Sequence, residues 1–66
     1  MKLPKKVRKL INAARMDDEF MTSIKISMPD AYWAIFDTGS KKLPICGAIY
    51  VGWLIAKGVY NESDYE

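Results

Sequence analysis

Apolar residues fall in three patterns along the chain, and each pattern predicts a different element. Over residues 4–16 they recur at Leu3, Val7, Leu10, Ile11 and Ala14, the stripe of an amphipathic helix. Pro4 suits its first turn, where no N–H is required. Over 22–28 the pattern alternates: Ile24, Ile26 and Met28 point one way, Ser23, Lys25 and Ser27 the other. Alternation with β-branched residues predicts a short strand. Two largely apolar segments follow. The first opens at Pro29-Asp30, runs through Ala31, Tyr32, Trp33, Ala34, Ile35 and Phe36, and stops at Gly39. Ser27 and Asp30 have the spacing of a capping box for its start. The second opens at Pro44 and stops at Lys57-Gly58. Both read as helices buried on more than one side. Asp17-Asp18-Glu19 marks a junction after the first helix, capping a turn that contains Phe20 and Met21.

The expected organisation is therefore a basic N-terminal helix and acidic junction over 1–19, a strand and two helices over 20–58, and an acidic tail over 59–66 that Val59, Tyr60 and Tyr65 can dock. The fold class is mostly α with one short β-strand. No other segment offers that strand a partner, so a copy of the same strand from a second subunit is the natural one. Composition points the same way. Half of the 66 residues are hydrophobic, and Cys46 is the only cysteine, so no disulfide forms within the chain. So short a chain commonly buries such a surface by oligomerising.

Charge divides the chain further. Residues 1–16 carry Lys2, Lys5, Lys6, Arg8, Lys9 and Arg15 with no acid, and the tail carries Glu62, Asp64 and Glu66. The cationic face of 4–16 reads as a solvated surface on a packing helix, as a contact for nucleic-acid phosphates, or as a contact for anionic lipid. A stripe without Trp or Phe disfavours lipid. The longest uncharged run, 43–56, falls short of the ~20 residues that span a bilayer. No apolar leader is visible, and a lone cysteine fits a reducing compartment, so the expected location is the cytoplasm.

Chemistry is sparse. With no His and one Cys, a Cys/His zinc site and a Cys/His nucleophile are excluded. No metal, cofactor or catalytic residue is expected. Residues 35–40 read IFDTGS, like the signature of aspartic proteases, but that chemistry needs two facing aspartates on a longer, β-rich chain. Asp37-Thr38-Gly39 is expected to be a turn, and Cys46 a small buried residue.

Strand, Pro, helix, Gly turn, helix over 22–58 resembles the ribbon-helix-helix DNA-binding family of the MetJ/Arc/CopG type. The marks are SIKISMP, the helix opening at Pro29-Asp30 and a second helix carrying AIYVGWL. The Pro29-Asp30 to Thr38-Gly39 spacing is similar to the short-helix BrnA-type antitoxins. The resemblance implies an obligate homodimer with Ile24, Ile26, Met28, Ile49 and Trp53 in a shared core. Ser23, Lys25 and Ser27 would enter the major groove on a two-stranded ribbon and contact bases. The start of the second helix, with Ser40, Lys41 and Lys42, would meet a phosphate; outside the resemblance, Lys5, Lys6 and Lys9 of the basic helix are the further phosphate candidates. The implied function is a sequence-specific transcriptional repressor acting on double-stranded DNA, either an autoregulating antitoxin with a toxin partner or a small phage or plasmid regulator. The second helix departs from the family in opening with Leu43-Pro44-Ile45, where Pro44 removes an N–H. The alternative function is a small protein-interaction module, an antitoxin or phage-encoded inhibitor, that binds a partner protein through Trp33, Tyr50, Trp53 or the basic helix.

Overall fold

A computed structural model describes residues 3–66. Its order is α1 (Lys5–Arg15), α2 (Asp18–Ser27), α3 (Pro29–Ala34), α4 (Leu43–Ala56) and a 3-10 helix at Glu62–Tyr65. Among the described residues there is no strand. The expected ribbon-helix-helix fold is thereby corrected: the segment assigned to the ribbon is the second half of a helix.

The reason lies upstream of the alternating run. Asp17 is the N-cap of α2, and its Oδ1 accepts from the Phe20 N–H at 3.0 Å. Asp18 and Glu19 fill the first turn, where negative charge suits the helix dipole. Once nucleated there, the helix brings Phe20, Met21 and Ile24 onto one buried face. Alternation over five or six residues is too short to outweigh that stripe. The helical geometry places Ile24 inside and leaves Ile26 80% exposed. The Ser27 hydroxyl donates to the Ser23 carbonyl at 2.9 Å, so the capping box expected with Asp30 does not form. Met28 is the N-cap of α3, without a side-chain cap.

α1 and α4 follow the pattern of the sequence within a residue or two. α3 begins at Pro29 as expected but ends at Ala34 and buries none of its residues, with Trp33 68% exposed, so the expectation that it is buried on more than one side is corrected. α1 buries Leu10, Ile11 and Ala14. α4 begins with Pro44 in its first turn and buries Leu43, Cys46, Gly47, Tyr50 and Leu54. It ends in a Schellman motif. Gly58 has φ +73°, its N–H donates to the Ile55 carbonyl at 3.0 Å, and the Val59 N–H donates to Leu54 at 3.0 Å. A non-glycine residue would be strained at that φ.

α1 packs chiefly against α4, crossing it at Gly47. A methyl group at Gly47 would sit 3.8 Å from Val7 Cγ1 and 3.9 Å from Leu10, so the helices approach to ordinary contact there. α2 joins the assembly through aromatic edges: the Phe20 ring centroid is 4.7 Å from Tyr50 and 5.6 Å from Trp53. The core combines Leu10, Ile11, Ala14, Phe20, Met21, Ile24, Ile35, Leu43, Cys46, Tyr50 and Leu54. The whole is a slab of 30 × 28 × 16 Å. The acidic tail docks on α1 through its 3-10 helix, with Tyr60 and Tyr65 stacked at 6.1 Å.

Candidate functional site

α4 is the element whose residues decide what the surface can do. It has 14 residues and no charge. Leu43, Cys46, Gly47, Tyr50 and Leu54 define its buried face. Half a turn away, Ile45, Ala48, Ile49, Gly52, Ile55 and Ala56 form the opposite face at helical spacing. That face is apolar from end to end. Ile45 is 61% and Ile55 59% exposed; Ala48, Gly52 and Ala56 are exposed, and Ile49 is half-buried. A scattered exposed Ile is ordinary on a protein surface, but a contiguous uncharged stripe over three turns marks an interaction surface. Lysines bound it at both ends: Lys41 and Lys42 before α4, and Lys57 after it. Lys57 pairs with Glu19 at 3.1 Å and lies 5.2 Å from the Trp53 ring centroid.

The stripe continues at Ile45 into a groove of about 440 Å³ between the starts of α3 and α4. Met28, Pro29, Ala31, Ile45 and Cys46 line it, with Ser27, Asp30 and Lys42. Trp33 and Phe36 are more than half exposed, each with its ring against Tyr32.

The residues assigned to DNA reading do not come together. On a helix Ser23 and Ser27 share a face, whereas Lys25 projects almost opposite. Lys25 Nζ instead lies 5.7 Å from the Tyr32 ring centroid. Of the core assigned to a ribbon dimer, Ile24 lies in the core of its own chain, Ile26 and Met28 are exposed, and Trp53 packs on Phe20. Only Ile49 borders the outer face of α4.

The phosphate-contact candidates divide. Ser40 Oγ accepts from the Lys42 N–H at 3.1 Å, which shapes the turn into α4, and Lys41 and Lys42 are exposed. On α1, Lys5 is exposed, Lys6 pairs with Glu62 at 3.0 Å, and Lys9 donates to the main-chain oxygen of Glu66. The Glu62 hydrogen bond raises the Lys6 pKa above its ordinary value. The acidic tail therefore occupies part of the cationic surface that a polyanion would use.

Asp17, Tyr50, Asp37 and Cys46 have structural assignments. Asp17 Oδ2 accepts from the Tyr50 hydroxyl at 3.1 Å, so one carboxylate caps α2 and ties it to α4. Burial, then the Asp17 hydrogen bond, pushes the Tyr50 pKa up. Asp37 Oδ1 accepts from the Gly39 N–H at 3.0 Å, an Asx turn where the protease-like hexapeptide lies. Cys46 is buried with its sulfur 3.7 Å from the Ala31 carbonyl, and burial raises its pKa. Trp53 Nε1 is buried without an acceptor among the described residues.

Among the described residues no helix is long and apolar enough to cross a membrane. No family model, no curated protein and no solved structure matches the chain.

The outer face of α4 was legible only in part. The near-complete apolarity of 44–56 announced burial on several sides. Which positions the chain itself covers depends on where α1 and α2 cross, and nothing in the periodicity of α4 records that.

Proposed function

We propose that this chain is a small helical protein-interaction module that acts through the outer face of α4, with a second copy of itself as the partner. The observation that carries the reading is that α4 is uncharged on the face opposite its buried one. The stripe is self-complementary. In an antiparallel pair, Ile45 and Ile49 of one copy fall opposite the partner's Ala56 and Gly52, large against small. The small residues allow the two helix backbones to approach closely. The antiparallel arrangement also brings Lys41 and Lys42 to the negative end of the neighbouring helix dipole, whereas a parallel one would set lysines against lysines. Lys57, at that same end, is already neutralised by Glu19 within each copy.

A transcriptional repressor has less support. The strand on which base reading rested is a helix, and two of the α1 lysines are engaged by the tail. The test is sedimentation equilibrium from micromolar to millimolar protein, paired with a duplex-DNA shift assay at low salt. Self-association that Ala48→Glu abolishes, without change in helical circular dichroism, is the expected result; Ala48 is exposed and Glu is a good helix former. A chain that stays monomeric at millimolar concentration sinks the reading. A DNA shift unaffected by Ala48→Glu would return the function to nucleic acid.

A further inference from the structure

A second concave site lies along the flank of α1, beside the start of α4 and apart from the outer face of α4. Arg8, Asn12 and Arg15 recur at i, i+4 and i+7, about two turns of helix, and border a cleft of about 280 Å³. Thr38, from the loop between α3 and α4, closes the polar rim, and Leu3, Ile11 and Leu43 give the cleft an apolar lining. The volume is at the lower edge of the range for small-molecule sites.

The rim is chemically one-sided. Guanidinium groups only donate hydrogen bonds, the Asn amide and the Thr hydroxyl can donate as well as accept, and among the described residues no carboxylate lines the cleft. Arg15 is fixed in place, because its Nε donates to the Ile35 carbonyl at 2.7 Å. Its two Nη groups have no acceptor among the described residues. Arg8 is exposed and forms no ion pair among the described residues, in contrast to Lys6, two residues earlier and about half a turn round the helix. A forked cation held ready, a second within reach and an aliphatic floor are complementary to a planar or tetrahedral anion carried on an apolar body.

The geometry points to a binding site for a small organic anion in this cleft: a carboxylate or phosphate held by Arg8 and Arg15, with its hydrocarbon part on Leu3, Ile11 and Leu43. The site is separate from the α4 face and does not depend on self-association.

Nuclear magnetic resonance titration of the full ¹⁵N-labelled chain tests it, with the Arg Nε–H signals as local reporters. The probes are hexanoate, hexyl phosphate, inorganic phosphate and hexanol. Hexanoate or hexyl phosphate should shift Arg8, Asn12, Arg15 and Thr38 signals saturably, at about tenfold lower concentration than inorganic phosphate. The tighter of the two names the head group. Arg8→Gln should weaken that binding by about tenfold, as loss of a charge-assisted bond predicts. Asn12→Asp, at an exposed position, should abolish it by placing a negative charge in the cleft. Unchanged amide signals in α2 certify that both variants remain folded. The proposal is overturned if hexanol produces the same shifts, if the shifts never saturate or spread over Lys5, Lys6 and Lys9, or if both variants bind as wild type does.

Discussion

At the scale of single residues, Asp17 has the widest reach. One of its oxygens starts α2 and the other holds the Tyr50 hydroxyl of α4. Asp17→Ala removes the cap and leaves a buried phenol unpaired. The expected loss is about 2–4 kcal/mol, the sum of a lost cap and an orphaned buried donor. In a domain of this size that is a fall in melting temperature of roughly 15–30 °C, measurable by circular dichroism. Tyr50 also sets an alkaline limit. Its pKa is raised in the folded chain, so its contribution is complete below the ordinary phenol value of 10.0 and is lost as pH rises above it. The melting temperature of the wild-type chain should therefore fall more steeply above pH 10 than that of Tyr50→Phe. Cys46, also raised by burial, adds to the same loss and is kept in both proteins. Equal slopes would detach Tyr50 from the alkaline transition. The Asp17-Asp18-Glu19 block was legible as a junction that caps a turn at Phe20 and Met21, but not as the start of a ten-residue helix. The bond from Asp17 to Tyr50, 33 positions later, was not legible, since it depends on how α2 lies across α4.

At the scale of elements, the two-sided character of α4 separates its glycines. Gly47 faces α1 and Gly52 faces outward, where an added methyl group would meet nothing within 4 Å. Alanine at either position should stabilise the folded chain by up to about 1 kcal/mol through helix propensity. Only Gly52→Ala should weaken self-association, because only Gly52 lies on the stripe. Urea melts read the first effect and sedimentation the second; a Gly52→Ala chain that associates like wild type removes Gly52 from the interface. α1 and α4 were legible because Pro starts and 3.6-residue stripes agreed with one another, and Gly58 marked the end of α4; of α3 only the Pro29 start was legible, since it ends at Ala34, short of Gly39, and buries none of its residues. α2 was not legible. Its Ile24-Lys25-Ile26 alternation is equally compatible with a strand, and the deciding residue, Phe20, lies outside the alternating run. The ribbon reading followed from that ambiguity, and with it the grouping of Ser23, Lys25 and Ser27, which a helix sends to different sides.

At the scale of the whole molecule, charge segregated along the chain is partly cancelled in space. The basic α1 and the acidic tail, at opposite ends of the sequence, lie against each other through Lys6–Glu62 and Lys9–Glu66. Both partners of the first pair are exposed, so the contact contributes little to stability and is screened by salt. Glu62→Gln should leave the melting temperature nearly unchanged while increasing retention on a heparin column at low ionic strength. Unaltered retention would show that the tail does not mask the α1 cations. Neither the pairing nor its register could be read from the sequence, which showed only that the two ends carry opposite charge.

The docked tail also has a kinetic and thermodynamic meaning for any anion arriving at Lys6 or Lys9. A tethered competitor works at an effective concentration in the millimolar range, fixed by the chain and independent of how much protein is present. An incoming polyanion must outcompete that internal ligand at every encounter. Because the pair is exposed and screened by salt, that competitor is a weak one, and the advantage it leaves goes to a partner that brings several charges at once.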